Sequence, residues 1–308
     1  MKHILITGCN GFIGMNLTKR LLKNNRVIGV DNFISSDRNK LNEVIKNKNF
    51  TFIEADINHL PSIKEDIGLI YNLACPASPP RYQKDPIFTL KTNFDGTLNL
   101  LELAREQSSI FIQASTSEVY GDPLETPQNE NYKGNVNVLG PRACYDEGKR
   151  AAETLCKEYR NIYNLETRII RIFNTYGPFM DPNDGRVISN FLVNIIKEKP
   201  LKVYGDGNQT RSFCYIDDLI EGLIKAKNTD FEDPINIGND NEISLNNLIS
   251  LLEKRFGNLN IEFLNSVLDD PKIRKPDITK AKKVLKWVPK INLDKGIELT
   301  YNYFKKLL

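Results

Sequence analysis

Short apolar runs alternate with amphipathic segments along residues 3–173. The runs with the character of buried strands lie at 3–8, 26–31, 50–56, 69–74, 109–115 and 168–173. The segments with the apolar spacing of helices lie at 12–22, 92–102 and 146–162. Strands that are apolar on both faces and joined by helical crossovers form a parallel sheet covered on both sides. The pattern therefore predicts a doubly wound α/β fold, whose ligands lie beyond the carboxyl ends of the strands.

The regular alternation of strand and helix patterns ends at about residue 178. Proline, glycine, asparagine and aspartate cluster at 178–186 and again at 205–210, with helical segments between them. We therefore expect a sheet domain over residues 1–178, to which some later segments return. A smaller substrate-binding region over residues 179–308 would cover the open edge of the sheet.

The composition excludes several classes of function. The 42 basic and 39 acidic residues nearly balance, which gives no reason to expect nucleic acid or a membrane surface as a partner. No apolar run reaches membrane-spanning length, and the first strand leaves no room for a signal segment. Five scattered cysteines and two histidines favour the reducing cytoplasm and argue against a metal site.

A glycine triplet, Gly8, Gly11 and Gly14, lies where the first strand turns into the first helix. Glycines at this turn let backbone amides and the positive end of the helix approach a pyrophosphate, although a tight turn alone would need them too. Asp31 ends the second strand, where a carboxylate binds ribose hydroxyls and repels a 2′-phosphate, so NAD is favoured over NADP. Asp56, at the end of the third strand, suits the adenine amine. The predicted cofactor residues are Gly8, Gly11, Phe12, Ile13, Gly14, Asp31, Asn32, Asp56, Ile57, Leu73, Ala74 and Cys75.

A tyrosine and a lysine four residues apart, Tyr145 and Lys149, share one face of a predicted helix. An ammonium group beside a phenol lowers the pKa of the phenol from about 10, which makes it a usable base for a sugar hydroxyl. Both residues are also expected to contact the cofactor. Thr116, at the end of the fifth strand, can reach the phenol after one crossover. The same spacing recurs at Tyr301 and Lys305, where no hydroxyl-bearing strand end lies nearby, so that pair is interpreted as structural.

Seven blocks of sequence point to one family. They lie at 74–80, 115–122, 144–150, 172–178, 184–187, 203–213 and 274–278. Together with the glycine triplet and the tyrosine–lysine pair, they closely resemble the UDP-glucuronate decarboxylases, or UDP-xylose synthases, among the extended short-chain dehydrogenases. The resemblance implies a Rossmann-type sheet and NAD-dependent decarboxylation of UDP-glucuronate to UDP-xylose. The reaction would pass through a UDP-4-keto intermediate, with NAD recycled.

The resemblance also assigns roles that spacing does not mark. The substrate residues that it implies are Tyr82, Lys91, Asn93, Asn174, Tyr204, Gln209, Arg211 and Arg274, and the further cofactor residues are Thr92, Thr175 and Arg186. Asn174 and Arg211 would contact the diphosphate, and Tyr204 and Gln209 would lie near uracil. In similar proteins the helices at 92–106 and 146–162 pair into a dimer interface, so the resemblance implies a homodimer.

The choice of reaction depends on Ser117, Glu118 and Arg274, which are predicted to be catalytic with Thr116, Tyr145 and Lys149. A 4,6-dehydratase of this type carries an acid where this chain has Ser117, which argues against dehydration. A decarboxylase must hold a carboxylate, and a guanidinium such as Arg274 binds one through two hydrogen bonds. Glu118 is left open as a protonated acid, a group that acts through water at carbon 5, or a capped loop carboxylate.

Three other functions stay open from the sequence. An oxidative decarboxylase would release UDP-4-keto-pentose and NADH, and a 4-epimerase needs no extra carboxyl group. A non-catalytic, NAD-sensing protein could retain the same fold. Five positions depart from the family pattern. Asn10, Met15 and Asn16 differ from the usual residues of the first loop, Arg81 stands where histidine is common, and Phe179 stands where arginine is usual.

Overall fold

The computed structural model describes residues 2–265 and 273–308, and strands alternate with helices along most of it. The strands are β1 (His3–Thr7), β2 (Val27–Asp31), β3 (Phe50–Glu54), β4 (Ile67–Asn72), β5 (Ile110–Thr116), β6 (Thr167–Ile172), β7 (Thr175–Tyr176), β8 (Leu201–Tyr204), β9 (Thr210–Ser212), β10 (Cys214–Tyr215), β11 (Ile235–Ile237), β12 (Glu242–Ser244), β13 (Ile261–Leu264) and β14 (Ile273–Arg274). The α-helices are α1 (Phe12–Leu21), α2 (Pro79–Tyr82), α3 (Pro86–Gln107), α4 (Ala143–Tyr163), α5 (Val187–Ile196), α6 (Ile216–Ala226), α7 (Leu245–Phe256) and α8 (Leu293–Leu307). Short 3₁₀ turns lie at Arg38–Glu43, Ile57–His59 and Ser117–Tyr120, and a π-helical turn lies at Ala281–Leu285.

A seven-stranded sheet forms the centre of the molecule, in the order β11-β6-β5-β4-β1-β2-β3. Every neighbouring pair in it is parallel. This order confirms the predicted doubly wound sheet. The strand order reverses between β1 and β4, and a crevice for a ligand opens at such a point. The seventh strand, β11, was not predicted, because three residues are too few to show a period.

Successive side chains of a strand point to opposite faces of the sheet, and both faces are covered here. Ile4 of β1 belongs to a core cluster that includes Met15 of α1 and Leu219 of α6. The next residue, Leu5, belongs to a second cluster that includes Leu100 of α3. Burial on both faces explains why the strands read as continuous apolar runs.

The later elements build three small sheets beside the carboxyl edge of the central sheet. β12 pairs antiparallel with β9, and β14 pairs parallel with it, so that Arg274 lies opposite Arg211. β10 pairs with β7, and β13 pairs with β8, both in parallel. The division of the chain at residue 178 stays a prediction, and β11 pairs with β6 of the central sheet.

Candidate active site

A cavity of about 640 Å³ opens at the carboxyl ends of the central strands, where the doubly wound fold predicts a ligand site. Most of the predicted site residues line it. They are Gly8, Gly11, Phe12, Ile13, Gly14, Leu73, Cys75, Tyr82, Thr116, Ser117, Glu118, Tyr145, Lys149, Asn174, Thr175, Arg186, Tyr204, Gln209, Arg211 and Arg274. The fold thus brings residues from β1 to β14 into one space, although their individual roles stay predictions.

The glycines of the first loop allow close backbone packing that side chains would prevent. Gly8 has a φ of +65°, which favours glycine, and a Cβ there would lie 2.9 Å from the carbonyl carbon of Leu73. A Cβ on Gly14 would lie 2.0 Å from the carbonyl oxygen of Gly8, so α1 could not pack this close to the loop. Phe12 and Ile13, the first residues of α1, line the cavity. A helix N-terminus beside a glycine-rich loop fits a pyrophosphate.

Asp31 lies at the end of β2 next to the glycine loop. Its carboxylate accepts hydrogen bonds from the backbone N–H of Asn10 (2.9 Å), the backbone N–H of Phe33 (2.8 Å) and the hydroxyl of Ser36 (3.2 Å). Burial raises the pKa of Asp31 from its ordinary value, and the hydrogen bonds oppose that shift. A carboxylate held at this strand end suits ribose hydroxyls. The residues present therefore fit NAD.

Asp56 lies two residues beyond β3, which ends at Glu54, and not at the strand end that the sequence predicted. It caps the 3₁₀ turn that begins at Ile57, because its carboxylate accepts from the backbone N–H of Asn58 at 2.8 Å. The amide of Asn32 donates to the same carboxylate at 3.3 Å. Asn32, Asp56 and Ile57 thus lie beyond the ends of β2 and β3, and they do not line the cavity. Ala74 follows β4.

Tyr145 and Lys149 lie one turn apart on α4, and both are buried. The ammonium of Lys149 donates to the carbonyl of Ala114 in β5 at 2.9 Å, and it lies 5.8 Å from the centre of the Tyr145 ring. Tyr145 hydrogen-bonds Thr116. The ring of Tyr82 stacks on Tyr145 at 5.0 Å between centroids. The phenol is therefore fixed beside a cation and a hydroxyl.

The sequence-based expectation of a lowered phenol pKa is wrong for this arrangement. Burial raises the pKa of Tyr145, while the hydrogen bond to Thr116 and the charge of Arg186 oppose the shift. Burial also lowers the pKa of Lys149. Desolvation outweighs the nearby cation because both groups are buried, and because Lys149 donates to the carbonyl of Ala114.

Asn93 supports α4 beside the catalytic pair. Its amide donates to the carbonyl of Thr89 at 3.0 Å, and a Cβ on Gly148 would lie 2.9 Å from the same amide nitrogen. Thr92 is buried, and its hydroxyl donates to the helix backbone. Lys91 was expected to face the sugar. It is exposed on α3 and does not line the cavity, because helical spacing turns it away from its buried neighbours.

Two guanidinium groups converge on Glu118. Arg274 donates through Nη1 and Nη2 to both carboxylate oxygens, and Arg142 donates to one of them. Arg274 Nη1 also lies 3.2 Å from the hydroxyl of Ser117. Burial lowers the pKa of Arg274 to about 10, so it stays charged at neutral pH. These charged contacts favour an ionised Glu118 over the protonated acid that the sequence left open.

The turn that carries Glu118 is set by its own sequence. Thr116 caps the 3₁₀ turn Ser117–Tyr120, because its hydroxyl accepts from the backbone N–H of Glu118 at 3.2 Å. Gly121 ends the turn with a φ of +64°, and a Cβ there would lie 2.0 Å from the carbonyl oxygen of Asn135. The strand end, the cap and the glycine together place Glu118 in the cavity.

The far wall of the cavity consists of residues from β7 to β9. The hydroxyl of Thr175 donates to the carbonyl of Phe173 at 2.9 Å. The amide of Gln209 donates to the carbonyl of Tyr204 at 2.5 Å, and the guanidinium of Arg211 donates to the carbonyl of Thr210 at 2.8 Å. Asn174 and Arg186 complete this wall. It provides amide and guanidinium groups that suit a nucleotide diphosphate.

The family is decided by comparison with known proteins. A family model described as GDP-mannose 4,6 dehydratase matches residues 5–300. The chain is 47% identical to UDP-glucuronic acid decarboxylase 2 of Arabidopsis thaliana over 306 residues, which are 99% of this chain and 68% of that protein. The chain belongs to the extended short-chain dehydrogenase family. UDP-glucuronic acid decarboxylase 1 of Xenopus tropicalis is also 47% identical, with 100% of this chain and 73% of that protein covered.

Solved structures of the extended short-chain dehydrogenases share the fold. The UDP-glucuronic acid 4-epimerase of Bacillus cereus, in complex with UDP-glucuronic acid and NAD, has a TM-score of 0.90 and 34% identity, with 99% of this chain and 100% of that chain covered. The UDP-glucose 4-epimerase of Thermotoga maritima, with UDP-glucose, has a TM-score of 0.89 and 28% identity, with 99% of each chain covered. In both comparisons the structural likeness covers 99% of this chain.

Two of the departures from the family pattern, Arg81 and Phe179, lie on or near the cavity wall. Arg81 ion-pairs with Asp181 and donates to the carbonyl of Ser35, so it links two loops at the cavity wall. The ring of Phe179 packs on Tyr303 at 5.3 Å between centroids, and Phe179 does not line the cavity. In this chain a guanidinium at this wall therefore comes from Arg81 and not from position 179, where arginine is usual in the family.

Sequence reasoning missed Arg142, which immediately precedes α4. Its position three residues before Tyr145 was the available signal, because residues three apart lie on one side of a helix. The Nε atom of Arg142 also lies 4.0 Å from Asp146, whose side chain is only 8% exposed. Arg142 thus lies between the carboxylate of Glu118 and a second buried carboxyl group, that of Asp146.

Replacing Asp146 by asparagine should stabilise the protein more at about pH 8 than at about pH 5, by about 2 kcal/mol. Burial raises the pKa of Asp146 from its ordinary 3.8 to about 7. The folded chain therefore binds this proton more tightly than the unfolded chain, and the wild type loses stability as pH rises through that interval. Asparagine has no such charge to bury. Denaturant unfolding at the two pH values measures the difference, and an equal gain at both would contradict it. Asp66→Asn, at a side chain that is 68% exposed, is the control and should leave stability nearly unchanged.

Proposed function

We propose that this chain is an NAD-dependent UDP-glucuronate decarboxylase that forms UDP-xylose and recycles its NAD. The observation that carries the proposal is a guanidinium pair, Arg142 and Arg274, bound to a carboxylate in the cavity that also contains Tyr145. A site that binds a carboxylate beside an oxidation base is what a uronate requires. The curated relatives named as UDP-glucuronic acid decarboxylases support the same reaction.

Oxidation at carbon 4 of the sugar depends on Tyr145. As the phenolate, its oxygen takes the proton of the 4-hydroxyl, and Thr116 holds that oxygen in place through a hydrogen bond. The positive charges of Lys149 and Arg186 favour this phenolate before it takes the proton. Bound NAD supplies the hydride acceptor for this step and the hydride donor for the last one. The residues of the glycine loop and Asp31 would hold it.

Loss of the carboxylate follows from the ketone at carbon 4. The oxidised sugar is a β-keto acid, so the bond between carbons 5 and 6 breaks with its electron pair passing to the ketone oxygen. Carbon dioxide leaves, and the enolate oxygen accepts a hydrogen bond from the protonated Tyr145. Arg274 orients the carboxylate until that bond breaks. Carbon 5 then takes a proton from water, and Tyr145 returns its proton to oxygen 4 as the ketone is reduced.

Two other enzymatic outcomes share the first step. A 4-epimerase would return the hydride to the opposite face of the ketone without losing carbon dioxide. An oxidative decarboxylase would stop at UDP-4-keto-pentose and release NADH. Mixing the enzyme with UDP-glucuronate and excess NAD distinguishes these outcomes. Carbon dioxide release with no steady rise in NADH absorbance supports the proposal, and a steady rise supports the oxidative decarboxylase.

A non-catalytic, NAD-sensing protein is the alternative outside the enzymes. Tyr145 and Lys149 lie with Thr116 in the cavity, and a sensor would not need this arrangement. Such a protein would bind NAD and leave every nucleotide sugar unchanged, so the same assay tests it.

Gln128 should be required for full turnover of UDP-glucuronate, because it fixes the segment that carries Arg274. Its side-chain oxygen accepts from the backbone N–H of Lys275 at 2.8 Å, and its backbone bonds the carbonyl of Lys275 and the N–H of Asp277, each at 2.8 Å. Gln128→Ala should reduce kcat about ten-fold and leave NAD affinity nearly unchanged, since it leaves the backbone N–H of Lys275, next to Arg274, without its acceptor.

Gln107→Ala is the matched control for Gln128→Ala. The side-chain oxygen of Gln107 likewise accepts a hydrogen bond from a backbone N–H, that of Ile67, at 2.7 Å. Neither residue lines the cavity. Gln107→Ala should lower stability and preserve kcat. Equal losses of kcat in the two variants, measured by product formation, would contradict the role given to Gln128.

We further propose that the protein is a homodimer that associates through α3. Ile87, Leu90 and Phe94 lie three and four residues apart, on one side of this helix. They are 72%, 44% and 42% exposed, although they are apolar. A solvent-exposed apolar stripe of this kind marks an interaction surface. Light scattering on the purified protein tests this, and the mass of one chain would contradict it.

We also propose a cytoplasmic location. All five cysteines are free thiols, as expected in a reducing compartment. Among the described residues, no helix has both the length and the apolar character needed to span a bilayer. Cell fractionation with an antibody against the native protein tests the location.

A further inference from the structure

We propose that Glu118 competes with the carboxylate of the substrate for Arg274, and that Arg142 holds Glu118 once the substrate has displaced it. The proposal rests on the proposed function, because it needs a substrate that carries a carboxylate. It makes Arg142 a positioning residue that acts through Glu118.

The guanidinium of Arg274 is already engaged by a carboxylate. Its Nη1 and Nη2 atoms donate to the two oxygens of Glu118, and its side chain is only 6% exposed. One edge of a guanidinium binds one carboxylate in this two-bond geometry. A substrate carboxylate can therefore take this edge only by displacing Glu118.

Arg142 approaches Glu118 from a different element. It precedes α4, whereas Arg274 lies in β14, and its Nη2 atom donates to the Oε2 atom of Glu118. The side chains of Arg142 and Glu118 are 18% and 15% exposed, so an unpaired charge at either one would be costly. When the substrate takes Arg274, Arg142 keeps Glu118 paired within the cavity.

The charges of the cluster favour this exchange. Within the part of the chain that the structure describes, Arg142 and Arg274 place two positive charges on the carboxylate of Glu118. Asp146 lies 4.0 Å from the Nε atom of Arg142, and burial raises its pKa to about 7, so at neutral pH it offsets only part of the excess. Tyr82 stays neutral, because burial raises its pKa to about 12. When a substrate carboxylate binds, the two guanidinium groups would be paired with two carboxylates.

Calorimetric titration tests the role of Arg142. The protein is loaded with NAD and carries Tyr145→Phe, so that the substrate is bound and not consumed. Arg142→Gln should weaken binding of UDP-glucuronate about ten-fold and binding of UDP-xylose, which lacks the carboxylate, by less than about two-fold. Lys157→Gln removes an exposed cation from the same helix and should change neither affinity. Equal losses for both sugars, or no loss, would overturn the proposal.

Glu118→Gln tests the competition independently of Arg142. Removing the internal carboxylate should tighten UDP-glucuronate binding about three-fold or more and leave UDP-xylose unchanged. Adding Arg142→Gln to this variant should then have little further effect, since the two residues act together. Unchanged or weaker binding by Glu118→Gln would overturn the competition.

Failure of this proposal can be told apart from failure of the proposed function. Product formation is measured separately, on wild-type protein. Wild type that binds the acid selectively and releases no carbon dioxide would refute the function alone. Wild type that decarboxylates, with Arg142→Gln still selective for the acid, would refute the role of Arg142 alone.

Discussion

Tyr145→Phe should reduce kcat for UDP-glucuronate by about three orders of magnitude, because it removes the group that takes the proton of the 4-hydroxyl. The change deletes one oxygen and preserves the ring, which stacks on Tyr82 at 5.0 Å between centroids. NAD and UDP-sugar binding should therefore stay within about two-fold of wild type. Single-turnover measurement of ketone formation should show the same loss.

Tyr301→Phe is the matched control, because Tyr301 and Lys305 repeat the spacing of the catalytic pair. Tyr301 packs on Phe256 at 4.5 Å between centroids and does not line the cavity. This variant should keep wild-type kcat. A Tyr145→Phe enzyme that retained more than about a tenth of wild-type kcat would contradict the assignment of the base.

Arg274→Ala should reduce decarboxylation by at least about two orders of magnitude, while NAD affinity changes little. The variant loses the guanidinium that would orient the substrate carboxylate, and among the described residues it leaves Glu118 paired with Arg142. Because removing one partner of a buried pair also lowers stability by about 3–5 kcal/mol, thermal unfolding is measured alongside turnover. Arg274→Lys keeps the charge and loses the two-bond fork, so it should recover stability more than turnover.

Arg255→Ala is the control for Arg274→Ala. Arg255 also holds a carboxylate through two hydrogen bonds, to Asp294 at 3.2 and 2.6 Å, and it is not a cavity residue. It should leave turnover unchanged. If Arg274→Ala lost NAD affinity and turnover by the same factor, the residue would be supporting the fold and not the carboxylate.

The parts of the fold that the sequence predicted are those with local patterns. Apolar runs predicted six strands of the central sheet, and the glycine triplet predicted the turn that lines the cavity. β11 was missed, because its three residues are placed by pairing with β6 and not by any pattern of their own. The end of β3 was predicted two residues too late. The extended run of residues continues to Asp56, whereas the strand itself ends at Glu54.

The parts of the site that the sequence did not predict depend on distant contacts. Gln128 reaches Lys275 across 147 residues of chain, and no local pattern reports such a contact. The direction of the Tyr145 pKa shift depends on desolvation, which follows from packing and not from the spacing to Lys149. Lys91 was misplaced because the family resemblance gave its position without its exposure.

The central claim is that the chain removes the carboxylate of UDP-glucuronate and returns the hydride to the same molecule. Carbon-13 NMR of UDP-glucuronate labelled throughout its sugar, incubated with enzyme and a small fraction of one equivalent of NAD, tests both halves at once. Complete conversion to UDP-xylose and labelled carbon dioxide is expected. Formation of the 4-epimer with no carbon dioxide, or a reaction that stops when the NAD is exhausted, would contradict it.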